Sequence, residues 1–332
     1  MERLLLLVFA LLGLVLLVLG QTRTSISEFI PAERTFKIGV SMTPLSSPVI
    51  IADRLGYFAD EKLEVLLEPY KGGNACFEAL IRFDVDLATS SDSVMMFNSF
   101  KRNDFVALAS IAQSDNDVKI MMRADGDIDS LEDIAGKKIA IVKGSASEYF
   151  FDMLMMLHNL HTTTVNIDLP PNEQGAALMA RAVDVISIWE PYSYHLQQNY
   201  PGQVKTLDTQ GYYTLSFNLI ARKPDNMEYQ KEHFRILRAL QRAIEYIHSN
   251  PQQAQVIIAE YLNVPRMQVA GLWSDYLFRL SLDNTLVSTL NAQARWAIYK
   301  GFTEQEELPD YRLYIDPLAL NEALYKPLVR TK

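Results

Sequence analysis

The segment KGSASEY, residues 143–149, contains small and hydroxylated side chains that could hold a polar or anionic group. It stands between an apolar run over 139–142, typical of a buried strand, and a run over 149–157, typical of a helix. A helix that begins here leaves backbone N–H groups without intrahelical partners, and these could bind an anion. An ordinary serine N-cap is the alternative, and the segment alone does not decide between the two.

The elements that would position this segment alternate along the chain from residue 36 onward. Apolar strand patterns such as FKIGV, LEVLLEPY and VDLATS are separated by helical patterns, which is typical of helices packed on mostly parallel sheets. The alternation starts again near residue 125, and it ends with the strand pattern TLSFNLIARK near residues 214–223. Beyond this pattern the chain is predicted to be almost wholly helical.

This order predicts an α/β fold with two lobes, each a mostly parallel sheet flanked by helices, and a helical C-terminal region. Residues 36–122 and 215–332 would form the first lobe, and residues 123–214 the second. Hinge segments near 118–123 and 214–222 would join the lobes. Because ligands of open α/β sheets bind outside the carboxyl ends of the strands, each strand-to-helix loop is a candidate contact.

Composition narrows the classes of function. The chain has 332 residues, 49% of them hydrophobic, and a formal net charge of −9, which disfavours a nucleic-acid-binding protein. The single cysteine, Cys76, cannot form an internal disulfide and lies in an apolar helical pattern. His158 and His161 could share a helix face, but no nearby acid or cysteine completes a metal site. We therefore expect neither a metal nor another cofactor.

Residues 4–19, LLLLVFALLGLVLLVL, form an unbroken apolar run. The run suits a signal peptide over residues 1–20, with cleavage after Gly20, or an uncleaved membrane anchor. Gln21 stands where a lipoprotein would carry its cysteine, so lipid anchoring is not expected. Either alternative places the rest of the chain in the periplasm or another extracytoplasmic compartment.

Five stretches, taken in order, resemble the periplasmic solute-binding proteins of ABC importers. The resemblance is to the branch that binds sulfonates, taurine, nitrate and thiamine precursors (SsuA/THI5-like, NMT1-like). The stretches are PVIIADRLGYFADEKLEVLLEPYKGGNACFEAL, VDLATSSDS, SLEDIAGKKIAIVKGSASEYFFDML, ISIWEPY and DYRLYIDPLALNEAL. The resemblance implies a type II periplasmic binding protein fold, whose two lobes close on one small molecule. It also implies delivery of that molecule to a membrane permease driven by an ATPase.

The resemblance further implies where the ligand contacts lie. On the first lobe they are Ser41, Met42, Thr43, Pro44, Gly73, Asn74, Ser91, Asp92 and Ser114, and on the second Ser145, Ala146, Ser147, Trp189 and Glu190. The serine- and glycine-rich loops offer hydroxyl and backbone donors, and Trp189 offers an apolar face for a ring or an alkyl chain. Glu190 would pair with an amino group or a ring N–H, because an unpaired carboxylate loses its hydration in a closing cleft.

Alternatives remain open for three of these residues. Glu190 could be an exposed carboxylate at a helix start, Asp92 the N-cap of the helix VMMFNSF, and Trp189 a core residue. The cleft loops contain Asp92 and Glu190 but no arginine, so a nitrogen-bearing ligand such as a pyrimidine or an amine is expected first. A sulfonate, taurine or oxyanion is the alternative, because Lys71 and Lys143 could reverse the local charge.

Two other classes of function share the expected fold. An enzyme of the pyrimidine-precursor synthase type would need a cysteine cluster and a pyridoxal-binding lysine, whereas this sequence has one cysteine and an export segment. A membrane-tethered ligand sensor would keep residues 4–19 as its anchor. We therefore expect a monomeric binding protein and not an enzyme. Its partners would be a small molecule, an ABC permease and its ATPase, with membrane contact through the permease or the N-terminal segment.

Overall fold

The computed structural model describes residues 34–160 and 164–325. The expected signal peptide or anchor over residues 1–20, and His161, lie outside the described residues. Within the described ranges, none of the helices combines the length and the apolar character that a membrane crossing requires.

The described strands form two sheets, as the alternating patterns predict. The first contains β1 (Thr35–Ser41), β2 (Glu64–Tyr70), β3 (Leu87–Ser91), β4 (Phe105–Ser114), β10 (Leu215–Arg222) and β11 (Leu277–Ser281). The second contains β5 (Val118–Arg123), β6 (Lys138–Ile141), β7 (Val165–Asp168), β8 (Val185–Trp189) and β9 (Val204–Thr206). The strand orders are β11-β4-β10-β3-β1-β2 and β7-β6-β8-β5-β9.

Both sheets are mixed. β1 pairs in parallel with β2 and β3, and β6 pairs in parallel with β7 and β8. The strands that follow or precede a passage between the sheets pair antiparallel instead: β10 with β3 and β4, and β5 with β8 and β9. β11 also pairs antiparallel with β4. Parallel strands need a crossover connection, which is usually a helix, so the alternation of strand and helix patterns predicts the parallel pairs. It does not predict the antiparallel pairs.

Helices connect the strands and cover the sheets. They are α1 (Ser47–Arg54), α2 (Tyr57–Asp60), α3 (Gly73–Ile81), α4 (Asp92–Ser99), α5 (Ala146–Leu157), α6 (Pro171–Met179), α7 (Tyr192–Asn199), α8 (Lys223–Glu228), α9 (Gln230–Ser249), α10 (Pro251–Leu262), α11 (Arg266–Leu272), α12 (Asn284–Tyr299) and α13 (Leu318–Tyr325). Short 3-10 helices span Pro44–Ser46, Glu132–Ile134, Trp273–Asp275 and Tyr311–Tyr314. Helices α5, α6 and α7 pack on the second sheet. We call the described residues within 118–206 the second-sheet half, and residues 34–114 together with 215–325 the first-sheet half.

Two predicted elements differ from the structure. The helix-like stretch SLEDIAG contains only the 3-10 turn Glu132–Ile134, because the segment is too short for regular helical bonds before Gly136 turns the chain with φ 74°. The C-terminal region is not wholly helical, since Leu277–Ser281 forms β11. Alternate residues of β11 are buried, which is the period of an edge strand packed on one face.

The chain passes between the sheets twice, at 115–117 and at 207–214. β5 spans one of the expected hinge segments and belongs to the second sheet, where it pairs with β8 and β9. The two-sheet arrangement is as expected. The lobe boundaries given above stay a prediction.

Candidate ligand-binding cleft

The carboxyl ends of strands in both sheets meet where the chain passes between them. β1, β3 and β4 end at one edge of the first sheet, at Ser41, Ser91 and Ser114, because β10 pairs antiparallel with both β3 and β4. In the second sheet β6 and β8 end together, and β5 begins beside Trp189. The passage at 115–117 joins the two edges. Loops from both halves are therefore brought together at one cleft.

All nine residues predicted on the first lobe lie at this edge, in strand ends or helix starts: Ser41, Met42, Thr43, Pro44, Gly73, Asn74, Ser91, Asp92 and Ser114. Ser41 and Ser114 are buried, and the Thr43 side chain caps the 3-10 helix that Pro44 begins. The Asn74 side chain is exposed and donates a hydrogen bond to Glu78 Oε1 at 2.8 Å, along its own helix. Their contact with a ligand stays a prediction.

Gly73 lets the start of α3 lie directly against the end of β3. A Cβ at this position would lie 2.8 Å from Ser90 Oγ and 3.0 Å from Ser90 Cα. The Ser90 hydroxyl donates to the Gly73 carbonyl at 2.9 Å. The N-cap of α3 is Gly72, no side chain caps the helix, and no acid lies in its first turn. The first backbone N–H groups of α3 are thus open to a polar ligand.

Asp92 is fully buried, and its carboxylate is held by the chain itself. It accepts hydrogen bonds from the Tyr213 hydroxyl at 2.8 Å, from Ser216 N at 3.0 Å and from Ser93 N at 2.7 Å. Burial raises the pKa of Asp92, and these hydrogen bonds oppose the rise. The N-cap of α4 is Ser91, so the interpretation of Asp92 as the N-cap is wrong.

The KGSASEY loop begins α5 and satisfies its own polar groups. The Ser145 hydroxyl donates to the Val142 carbonyl at 2.6 Å and accepts from Ser147 N at 3.2 Å. Ser147 Oγ in turn accepts from Val142 N at 3.1 Å, and Glu148 accepts from Gly144 N at 2.8 Å. The sequence S-A-S-E is thus close to a capping box, a signal our sequence reasoning missed. The ligand contact of Ser145, Ala146 and Ser147 stays a prediction.

Glu190 is buried and forms an ion pair with a lysine that the sequence reasoning did not consider. Glu190 Oε1 lies 2.7 Å from Lys119 Nζ, and Asp275 Oδ2 lies 3.3 Å from the same nitrogen. Burial alone would lower the pKa of Lys119, but the two carboxylates raise it more. The interpretation of Glu190 as an exposed carboxylate is wrong, because the residue is 5% exposed and also accepts from Tyr194 N. Asp275 belongs to the first-sheet half, so this cluster joins the halves.

Asp117 lies next to this cluster, in the passage between the sheets, and one of its carboxyl oxygens lacks a hydrogen-bond partner among the described residues. The residue is 4% exposed, and no hydrogen bond reaches its Oδ1 from the described residues. Burial, followed by the charge of Glu190, raises the pKa of Asp117 to about 8, although Lys119 opposes the rise. The hydroxyl of Tyr276 is likewise buried without a hydrogen-bond partner among the residues described. Burial and then the charge of Asp117 raise the pKa of Tyr276 well above its ordinary range.

One signal in the sequence could have indicated this cluster. Lys119 interrupts the apolar strand pattern VKIMMR, and a charge inside a buried strand normally needs a buried partner. The partner itself could not be read locally, because Glu190 is 71 positions away.

A second set of contacts joins the halves through α5 and α12. Trp296 Nε1 donates to Asp152 Oδ2 at 2.8 Å. Lys300 Nζ lies 2.9 Å from Asp152 and 3.4 Å from Glu148. The Tyr149 ring packs edge-to-face on Trp296, with 5.3 Å between the centroids. Aromatic and charged contacts therefore close this flank of the cleft.

The remaining candidates are an aromatic residue and a thiol. Trp189 is half-buried and packs against the hydrophobic core, with Tyr192 edge-to-face at 6.3 Å, so it has both a core contact and an accessible part. Cys76 is fully buried, and burial raises its pKa to about 12. Within the described ranges, no three His, Cys, Asp or Glu side chains are grouped so that they could hold a metal ion.

This chain is similar to known proteins in both sequence and structure. The model of the family described as NMT1/THI5 like matches residues 43–254. A Bacillus subtilis (strain 168) protein, named for binding aliphatic sulfonates, is 24% identical over 248 residues, which cover 72% of this chain and 73% of that protein. The structure of the periplasmic aliphatic sulphonate binding protein SsuA from Escherichia coli matches with a TM-score of 0.74 and 18% identity, over 85% of this chain and 92% of that one.

The same fold also occurs in an enzyme. The structure of the desulfurization enzyme DSZB matches with a TM-score of 0.65 and 14% identity, over 87% of this chain and 98% of that one. At such identities the likeness shows the fold and not the activity. The fold is that of the type II periplasmic binding proteins, as predicted. The family model matches more than half of the length of the chain, so the chain belongs to the NMT1/THI5-like family.

Proposed function

We propose that this protein is the solute-binding component of an ABC importer. It would capture a small molecule at the cleft between the two sheets and deliver it to a permease and its ATPase. The observation that carries the proposal is the meeting of strand ends from both sheets at one cleft, in a chain of this family. Two narrow passages, at 115–117 and 207–214, are suited to act as the hinge of a closing motion.

The proposal further includes that the chain is exported and acts as a monomer. Residues 1–20 would carry the chain out of the cytoplasm, either as a cleaved signal peptide or as an anchor. A membrane-tethered sensor would have to keep residues 4–19, whereas an importer component could keep or lose them. Release of a protein without residues 4–19 from washed membranes would therefore exclude the sensor.

The ligand that the cleft supports best is a small sulfonate or a similar oxyanion. The start of α3 carries no capping side chain and lies beside Ser90 and Ser91 at the cleft edge, so it offers backbone N–H donors to an anion. The relatives named above include proteins named for binding sulfonates.

The expectation of a nitrogen-bearing ligand rested on Asp92 and Glu190, and both carboxylates have partners inside the chain. Asp92 accepts three hydrogen bonds, and Glu190 pairs with Lys119. A ligand amine would have to compete with these contacts, so neither residue supports that choice over a sulfonate.

We further propose that binding involves no chemistry. A thiol nucleophile must be accessible and ionised, whereas Cys76 is buried with a pKa of about 12. Closure then acts only as a population shift toward the form that holds the ligand better.

A thermal-shift screen of the purified protein tests this function. The panel contains alkanesulfonates of one to four carbons, sulfate and nitrate, with amines and pyrimidines at equal ionic strength. A ligand at a hundred times its dissociation constant adds about 2.7 kcal/mol of stability, which raises Tm by a few degrees. Stabilisation by sulfonates supports the proposal. Stabilisation by pyrimidines or simple amines alone would overturn the ligand class, and turnover of a bound compound would overturn the absence of chemistry.

A further inference from the structure

A pocket of about 460 Å³ lies away from the cleft, between the end of α10 and the start of α11. Its volume is in the range of small-molecule sites in proteins. None of the residues expected to contact a ligand in the cleft belongs to its lining. The pocket is therefore a separate candidate site, within the first-sheet half.

The apolar part of the lining comes from both helices and from the turn between them. It consists of Val256, Ala259, Val264 and Pro265. Ala259 is 6% exposed and Val256 is 37% exposed, so the lining extends from the buried side of α10 to the protein surface. An aliphatic group placed in the pocket would exchange contact with water for contact with these side chains.

The turn between the helices is held by its own backbone. Asn263 ends α10 in the left-handed conformation, with φ 54°, which asparagine adopts more readily than most residues. Val264 N donates to the Ala259 carbonyl at 3.0 Å, and Gln268 N donates to the Pro265 carbonyl at 2.9 Å. These contacts fix the shape of the pocket without a ligand, so binding would order little of the chain.

Three polar side chains share the same lining: Glu260, Asn263 and Arg266. None of them makes a side-chain hydrogen bond or an ion pair with another of the described residues. Glu260 and Arg266 have opposite charges and line one pocket, yet they do not pair with each other. The pocket therefore presents a carboxylate, an amide and a guanidinium group that are open to a ligand.

A short peptide with free termini carries the complementary groups. Its ammonium group can donate to the Glu260 carboxylate, and its carboxylate can accept from the Arg266 guanidinium group. The Asn263 amide has both donors and an acceptor, as a peptide bond requires. Aliphatic side chains of the peptide would cover the apolar lining. A ligand with one charge would leave either Glu260 or Arg266 without a partner.

We propose that the α10–α11 pocket binds a dipeptide or tripeptide with aliphatic side chains and free termini. This inference goes beyond the proposed function, because it concerns another site and does not depend on which solute the cleft holds. Glu260 would bind the amino terminus of the peptide and Arg266 its carboxyl terminus.

Calorimetric titration of four related compounds into the full chain tests the proposal. Leucyl-leucine carries both charges, N-acetyl-leucyl-leucine lacks the ammonium group, leucyl-leucine amide lacks the carboxylate, and leucine lacks the second side chain. Leucyl-leucine should bind at least about threefold more tightly than each of the others. This factor is what an ion pair with a solvent-exposed side chain contributes.

Substitutions assign each preference to a residue. Glu260→Gln should abolish the preference over the acetylated peptide, and Arg266→Gln the preference over the amide. Glu64→Gln on β2 and Arg295→Gln on α12 remove exposed charges elsewhere in the first-sheet half, so they are matched controls that should keep both preferences. Val256→Trp fills the pocket from its exposed side and should weaken binding of leucyl-leucine at least about tenfold.

The outcomes separate this inference from the proposed function. Absence of leucyl-leucine binding at millimolar concentration, or equal binding of all four compounds, overturns the pocket as a peptide site. Unchanged affinity in Val256→Trp, or competition by butanesulfonate, also overturns it, because the peptide would then occupy the cleft. Binding of leucyl-leucine but of no alkanesulfonate supports the peptide site and overturns the sulfonate class. Circular dichroism of each variant confirms that it folds.

Discussion

Trp296 Nε1 donates a hydrogen bond to Asp152 Oδ2 at 2.8 Å and so ties α12, which packs against α4 of the first-sheet half, to α5, which packs on the second sheet. Lys300 contacts the same carboxylate at 2.9 Å. Both helices also contact Tyr213 in the passage at 207–214: the Tyr149 ring lies 5.5 Å from the Tyr213 ring, and Gln293 Nε2 donates to the Tyr213 hydroxyl at 3.1 Å. The bond can therefore influence how readily the two halves separate.

Trp296→Phe and Lys300→Ala should each favour the open form. Trp296→Phe keeps a ring against Tyr149 but removes the N–H donor, which weakens closure by about 1 kcal/mol. Lys300→Ala removes a partly exposed ion pair, worth about 1 kcal/mol or less. Small-angle X-ray scattering of the ligand-free variants should show a larger radius of gyration. Lys205→Ala, which breaks the exposed pair with Asp129, should not change it.

Lys119→Met should destabilise the protein strongly. The substitution leaves the buried Glu190 and the partly buried Asp275 without their shared cation, and breaking a buried pair in this way costs about 3–5 kcal/mol. Urea unfolding measures the loss. The double variant Lys119→Met/Glu190→Gln should recover part of the stability, because one uncompensated carboxylate is gone. A loss no greater than that of Lys205→Met would contradict the buried cluster.

Asp117→Asn should weaken the dependence of stability on pH. The pKa of Asp117 is about 8 in the folded protein against an ordinary value of 3.8, so the folded state holds its proton more tightly. The contribution of this protonated carboxyl group to the free energy of unfolding is complete below about pH 4 and is lost as pH rises to about 8. The total change over this range is several kcal/mol, an order-of-magnitude value from ~1.4 kcal/mol per pKa unit. Urea unfolding at pH 5 and pH 8.5 should show a smaller fall for the variant than for the parent.

Two adjacent glycines give a matched test of the α3 start. In Gly73→Ala the new Cβ meets the Ser90 backbone at 3.0 Å, and such overpacking costs about 1–3 kcal/mol. The shifted helix start should also weaken sulfonate binding. Gly72→Ala meets nothing within 4 Å, and its φ of 176° is extended backbone. It should fold with nearly parental stability, and equal effects of both substitutions would argue against the close approach of α3 to β3.

The fold was largely predictable because its signals are local. The alternation of strands and helices depends on periodicity within each segment, and it predicts both sheets. β11 was missed because the five-residue pattern LFRLS lies among helices and pairs with a strand far away in sequence. Pairing over such distances leaves no pattern within the segment itself.

The cleft was less predictable because its chemistry depends on distant partners. Glu190 was expected to await a ligand, but Lys119 already neutralises it across the sheet pairing of β5 and β8. The sequence did not indicate Asp117 either, because its distinguishing feature is a buried Oδ1 that no hydrogen bond reaches from the described residues. Ser145 is the exception, because the four consecutive residues S-A-S-E, 145–148, are enough to indicate that it caps a helix.

Three helices begin at the cleft beside a carboxylate from the same part of the chain. At each of these starts the carboxylate accepts a hydrogen bond from a backbone N–H. Asp92 accepts from Ser93 N at α4, Glu148 from Gly144 N at α5, and Glu190 from Tyr194 N at α7. Such internal counter-ions screen the positive helix ends before any solute arrives. Chloride and other small anions would gain little there. The start of α3 has neither a capping side chain nor a first-turn acid, so it is one place at this edge where an anion would meet backbone N–H groups without an internal counter-ion.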